Sequence, residues 1–347
     1  MRTNYRHRCY GLIPFVAGLA GLFLPAPPAV ALETKILSLE TGEKPVRVFS
    51  KGQHALMSTA KGGIFRIGLK QGELVLIAEG NKLNKQIRPA GILPDGIIVQ
   101  GKKDIKTAWL TGATRRYDHG VLGDDTEATG MAVEMIGGAR LELTLNPDSV
   151  FEDRKARLAD LDGDGKDEII AVRSYLDEGA ALAVAKPGLK GLRIIAETWP
   201  IGIPHRWLNP VGVGDFDGDG RNDVALVKTP HIGGKLEIYA LENDALRLKG
   251  KTAGFSNHTI GERELDKGAV IDIDGDDIHE IVLPDSWQRT IRIISFKGAM
   301  FSEIARINLN GSSIATAIAA TDLDEDGDRE IVFGLSDGRI MAVLFNP

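Results

Sequence analysis

Four short segments of the chain carry carboxylates at the same offsets: DLDGDGKDE from Asp160, DFDGDGRND from Asp215, DIDGDDIHE from Asp272 and DLDEDGDRE from Asp322. Counted from the first aspartate, positions 1, 3, 5 and 9 are acidic: Asp160, Asp162, Asp164 and Glu168; Asp215, Asp217, Asp219 and Asp223; Asp272, Asp274, Asp276 and Glu280; Asp322, Asp324, Asp326 and Glu330. Carboxylates packed this closely repel one another unless a cation sits among them. Calcium suits the set, because it takes roughly 6–8 oxygen ligands in adaptable geometry. The backbone carbonyl at position 7 (Lys166, Arg221, Ile278, Asp328) offers one more oxygen. Glycine at position 6 (Gly165, Gly220, Gly327) lets the chain turn with positive φ, and Asp277 replaces it in the third segment.

An EF-hand opens in the same way but needs a glutamate at its twelfth position. Here that position is Ala171, Leu226, Leu283 or Phe333, each inside a strand-like run. The plainer alternative, an ordinary Asp/Gly turn between strands, would suit one copy. It does not explain four copies at fixed offsets.

The elements that must position these segments repeat with them. Their starts lie 55, 57 and 50 residues apart, near the size of a propeller blade. Each leads into a short β-type run (Ile169 to Val172, Val224 to Val227, Ile281 to Leu283, Ile331 to Phe333). A polar turn and a second run follow (Ala180 to Val184, Lys235 to Tyr239, Thr290 to Ile294, Arg339 to Leu344), and in three of the four a further one. This is a four-stranded meander. The same texture without acidic segments appears at Val46 to Val75 and Ile87 to Leu110, and a shortened version, HGVLGDDTEA, begins at His119. The expectation is an all-β propeller of four-stranded blades, seven in number, with six as the alternative because the second and third units are hard to delimit. The last unit stops after three strands, so the stretch from Thr34 to Leu39 should complete it, close the ring and remove a free edge.

The acidic segments and the β runs after them resemble the FG-GAP/VCBS repeats of the integrin α-subunit N-terminal propeller and of many bacterial exported proteins. The resemblance is specific over Asp160 to Pro347 and weak before it; the acidic-loop blades span 155–347 of a propeller expected over 32–347. It implies up to four structural Ca2+ ions on the sixteen carboxylates named above. Asp277 is a departure from the family pattern, and GDDTEA from Gly123 is too short to be a site.

In a meander the turns alternate sides, so the connections that lack acidic loops should gather on the opposite face, where the family often binds partners. Tyr175, His205, Arg206, Trp207, His231, His258, Trp287 and Arg289 fall in or beside those connections and are the candidate ligand-binding residues. Blade-tip packing or simple solvation is the bland reading of each taken singly. An enzyme reading, a propeller-type polysaccharide lyase or hydrolase, would use His205, His231 and His258 with Asp177 and Asp285. No GxSxG, HExxH or phosphate-binding loop is present, so no catalytic residue is assigned. The expected role is a binding module for a protein or glycan, as a monomer or in an envelope complex; a scaffold subunit of an envelope assembly is the other alternative.

Arg2, Arg6 and Arg8, an apolar run from Gly11 to Leu24 and the small residues Ala29-Val30-Ala31 read as a signal peptide over 1–31, cleaved after Ala31. The chain would then be periplasmic or secreted with no transmembrane segment. The only cysteine, Cys9, lies inside that segment, so no disulfide holds the mature fold. Against 48 acidic residues stand 42 Lys and Arg, a balance that argues against nucleic acid as a partner.

Overall fold

The computed structural model describes residues 32–80 and 87–346. The proposed signal peptide and its cleavage point lie outside the described residues. Strands buried on one face alternate apolar and polar residues, but here the second strand of each acidic-loop blade is apolar on both faces. In the run Glu168–Tyr175 six of the first seven residues are buried, and Glu280–Pro284 and Glu330–Gly334 are buried throughout. Such strands need neighbours above and below, and stacking blades face to face supplies them.

The described strands form four four-stranded antiparallel sheets and one nine-stranded sheet that divides into two more four-stranded groups, which fits the alternative of six units and not seven. The first blade holds Pro45–Lys51, His54–Thr59, Ile64–Lys70 and Glu73–Gly80; the second, Val99–Gln100, Ile105–Thr114, Glu127–Met135 and Arg140–Thr144. The third holds Arg157–Ala159, Glu168–Tyr175, Gly179–Gly188 and Gly191–Glu197. The fourth holds Leu208–Gly214, Asp223–Lys228, Lys235–Glu242 and Ala245–Ala253. The fifth holds Ala269–Ile271, Glu280–Pro284, Thr290–Ser295 and Ser302–Asn308. The sixth takes Ala319–Thr321, Glu330–Gly334 and Arg339–Asn346 and is completed by Glu33–Glu40, which pairs antiparallel with Arg339–Asn346 along its whole length. A bridging strand, Ser149–Phe151, pairs with Arg173–Tyr175 and, through Phe151, with Ala128, and so joins the second and third blades into one sheet.

The seventh unit disappears because HGVLGDDT, from His119 to Thr126, lies in the connection between the second and third strands of the second blade, and Glu127 and Ala128 open that third strand. Its Val121 and Leu122 look like the start of a strand, but they are buried with Val172, Trp207 and Leu226 between the third and fourth blades. Gly123 approaches the backbone of Gly261 so closely that a Cβ there would lie 2.6 Å from its carbonyl oxygen.

Five apolar clusters lie between consecutive blades from the second round to the first, for example Met131 with Ile169, Phe216 with Ile281, and Ile293 with Phe333. The sixth blade packs on the first through Val332 and Met57. Inner strands of the first, fifth and sixth blades line a central cavity of about 1150 Å³. No helix among the described residues is long and apolar enough to cross a membrane.

Candidate metal centres and the opposite face

All four acidic segments occupy the connection between the first and second strands of their blades, so position 9 is the first residue of a buried strand. Their backbone follows one plan. The position 1 carboxylate accepts the position 6 amide: Gly165 to Asp160 at 3.0 Å, Gly220 to Asp215 at 2.7 Å, Asp277 to Asp272 at 3.1 Å and Gly327 to Asp322 at 3.2 Å. The position 5 carboxylate accepts the position 7 amide at 2.9–3.0 Å in every copy. Asp277, the departure from glycine, takes the same left-handed turn at φ 64° and keeps the loop geometry. The fourth loop places Glu325 at φ 64° where the other three have glycine at position 4, and its Asp322 Oδ1 has no hydrogen-bond partner.

Ligand oxygens converge within 4.8 Å of one another in each loop: Asp160, Asp162 and Glu168; Asp215, Asp217 and Asp219; Asp272, Asp274 and Asp276; Asp322, Asp324 and Glu330. Twelve of the sixteen expected residues are thus in these groups. Asp164 and Asp223 lie against the same sites, each sharing a lysine ammonium with other acidic residues of its loop. Glu280 accepts the Ile273 amide at 3.3 Å, and Asp326 accepts that of Asp328.

Position 9 shows best what the loops can hold. Glu168, Glu280 and Glu330 each turn one oxygen back onto the position 2 amide, Leu161, Ile273 or Leu323. The shorter Asp223 makes no such bond. Glu168 Oε1 and both oxygens of Asp223, on side chains almost wholly buried, accept no well-formed hydrogen bond, although Lys186 Nζ lies 3.2 Å from Glu168 Oε1 and Lys249 Nζ 3.1 Å from Asp223 Oδ2. Burial, followed by the neighbouring aspartates, pushes Glu280 and Glu330 up to about 7; burial also carries Asp223 up to about 6. Buried carboxylate oxygens facing further carboxylates fit a hard cation with oxygen ligands.

A residue that sequence reasoning passed over links the loops. Position 8 of one loop reaches position 1 of the preceding one: Asn222 Nδ2 donates to the Asp160 carbonyl at 2.9 Å, and the His279 amide to the Asp215 carbonyl at 2.7 Å. Asp167, at position 8 of the first loop, donates its amide to Asp104 of the second blade at 2.9 Å. Position 8 varies in type (Asp, Asn, His, Arg), and two of the three bonds use only its backbone, so no pattern of side chains marked it.

On the opposite face the candidate ligand residues divide. Trp207 is 2% exposed; its ring stacks near His231 (centroids 6.2 Å apart, 7° between planes) and its Nε1 donates to the Glu152 carbonyl at 3.0 Å. His258 is equally buried, 2.9 Å from His231 Nε2 through its Nδ1. These two lie beneath the face, as blade packing and not solvent contact would place them. Tyr175 donates its hydroxyl to Glu197 at 2.9 Å, and Arg206 is half-buried. His205 is half exposed, 3.0 Å from Asp118 and packed on Tyr117 and His119. Trp287 is 81% exposed, and Arg289 beside it is exposed. The proposed convergence of three histidines with Asp177 and Asp285 is therefore incomplete. His231 and His258 meet, His205 joins a separate group, and Asp285 is bonded to the Arg289 amide at 3.0 Å.

Two buried acids beneath this face escaped the sequence reading. Glu152 bonds His119 Nδ1 at 2.6 Å and the Ser174 hydroxyl, whereas neither oxygen of Glu127 has a partner. Burial, then the charge of Glu152, raises Glu127 to about 9. Burial also holds His231 and His258 down near 4. The signal available was a glutamate flanked by strand residues (VFED and DTEA), which alone does not separate a buried acid from a solvated one.

Residues 160–226 match the family model described as an FG-GAP-like repeat. The match covers the first two acidic loops and the strands between them. A search of curated proteins finds no match.

Proposed function

Taking the chain as an FG-GAP repeat protein with a propeller fold, we propose that it is an exported interaction module whose four acidic loops hold structural calcium and whose opposite face binds a protein or glycan. The observation that carries the metal reading is the convergence of carboxylate oxygens to within 4.8 Å of one another in every one of the four loops. Calcium there would neutralise these groups; the chain supplies the amides that fix positions 1 and 5 and the position 8 contacts that tie one loop to the next. Cation binding to the folded state alone stabilises it by mass action, about 2.7 kcal/mol per site at a hundredfold excess over Kd. EDTA should therefore lower the melting temperature; calcium should restore it and magnesium, which prefers a tighter octahedral shell, should restore it poorly. A melting curve unmoved by EDTA would sink the metal assignment.

Support for the binding face is the exposure of large apolar side chains on its connections: Trp199 at 91% and Trp287 at 81%, with Ile203, Ile232 and Ile260. Pull-down from envelope extract in calcium, repeated with Trp199→Ser/Trp287→Ser, tests it. Loss of a protein or glycan partner in the variant supports the face; equal capture by both places recognition elsewhere. Polysaccharide turnover abolished by His205→Ala or Asp285→Ala would favour the lyase or hydrolase alternative.

A further inference from the structure

The four acidic loops look equivalent in sequence, but cations reach them unequally. Lys186 Nζ lies 2.6 Å from Asp162, 2.8 Å from Asp164 and 3.2 Å from Glu168, which are positions 3, 5 and 9 of the first loop. Lys249 Nζ lies 2.5 Å from Asp217, 3.0 Å from Asp219 and 3.1 Å from Asp223, the same three positions of the second loop. The two lysines come from different strands. Lys186 is on the third strand of its blade, next in register after Ala185, which pairs with Ile169. Lys249 is on the fourth strand, at a register shift where Tyr239 pairs with Leu248 and Ile238 with Gly250. Ala240, a small residue, is paired in register with Asp223. Both ammonium groups are largely shielded from solvent, 19% and 15% exposed.

The later loops lack this arrangement. Ser295 follows the Ile281–Ile294 pair in the third loop's blade, and only Lys297, 63% exposed, reaches one carboxylate there, Asp276, at 2.6 Å. In the fourth, Leu344 follows the Ile331–Val343 pair, and no ion pair to the loop occurs among the described residues.

Resting on the calcium reading above, we propose that Lys186 and Lys249 are tethered counter-ions that compete with divalent calcium for the first two loops, which makes the third and fourth the high-affinity sites. A lysine fixed within bonding distance of three ligand carboxylates must be displaced before a metal can use them, so its local concentration weakens binding. In return, part of the carboxylate charge of the first two loops is offset without metal.

Calcium titration calorimetry of the full chain, with Lys186→Met, Lys249→Met, the double variant and Lys186→Arg, tests this. Wild type should show two classes of site at least tenfold apart. The double variant should tighten the weaker class tenfold or more, and Lys186→Arg, which keeps the charge, should behave as wild type. Hydrogen exchange in EDTA reads the same point without metal: peptides over 160–168 and 215–223 stay protected relative to 272–280 and 322–330, and lose that protection in the methionine variants. Four equal wild-type sites, or methionine variants that bind as wild type, overturn the inference and leave the calcium reading standing. No calcium binding by any variant overturns both.

Discussion

On the loop face, Asp160, Asp215, Asp272 and Asp322 are half-buried and are held by backbone amides, whereas beneath the opposite face Glu127 and Glu152 are wholly buried. The two regions deal with the same chemical group in opposite ways. Where carboxylates crowd, the fold supplies amides, lysines and a geometry suited to a cation. Where carboxylates are sealed in the interior, burial and the charge of Glu152 push Glu127 up to about 9, and Glu152 is given a histidine and a hydroxyl. The difference follows from position in the blade. The loops occupy hairpin ends open to ions, and the buried acids lie beneath connections that neighbouring blades cover.

If the opposite face is built on packing while the loops are built on charge, removing its anchor should damage one and spare the other. Trp207→Ala deletes a fully buried indole that stacks near His231 and touches His258, and it frees the Glu152 carbonyl. A loss of about 3–5 kcal/mol is expected from such a truncation, read by urea unfolding. Calcium affinity per folded molecule should be unchanged. A parallel fall in calcium affinity would show that the two regions are not separable.

Glu127 sharpens the contrast through pH. Its folded pKa, about 9, lies above the ordinary value of 4.5, so the folded state holds the proton more tightly than the unfolded chain. The stability tied to that proton is complete below pH 4.5 and drains away as pH rises towards 9, reaching a cost of roughly 3 kcal/mol at pH 7. Glu127→Gln should therefore stabilise at pH 7 by up to that amount and change little at pH 4.5, as read from urea midpoints. A variant less stable at both pH values would mean the carboxyl is ionised and paired. The histidines run the other way. His231 and His258 fall from 6.5 to about 4 on folding, so stability present above pH 6.5 is lost as pH drops towards 4. His231→Gln should remove part of that acid sensitivity, read from melting temperatures between pH 7 and 4.

The comparison also explains what could be read from residues alone. Loops at fixed offsets followed by β runs revealed the blades from Arg157 onward, and the missing fourth strand of the last unit foretold the pairing of Glu33–Glu40 with Arg339–Asn346. Local spacing carries such information because each loop satisfies its own backbone. The blade count misled because Val121 and Leu122 are apolar for the sake of the core between the third and fourth blades, and one-dimensional pattern does not distinguish that from a strand. Glu152, the burial of Trp207 and the position 8 contacts escaped for the same reason: their partners are 22 to 64 residues distant in the chain, fixed only when blades stack.

The smallest effect tests whether the loops tolerate departures because the backbone plan, not side-chain identity, carries them. Asp277 occupies the glycine position of the third loop at φ 64°, where an L-residue pays a penalty that glycine avoids. It adds a fifth acidic side chain to that loop, while its amide still donates to Asp272. Asp277→Gly relieves both the strain and the added repulsion at the expense of greater freedom in the unfolded chain, so a net gain of about 0.5–1 kcal/mol is expected. The gain should be larger in EDTA than in saturating calcium, because the metal screens the same repulsion. Thermal unfolding of the two proteins in both buffers measures it. Destabilisation by glycine in calcium would mean that the Asp277 carboxylate itself takes part in holding the ion, and that the third loop differs from the others in kind.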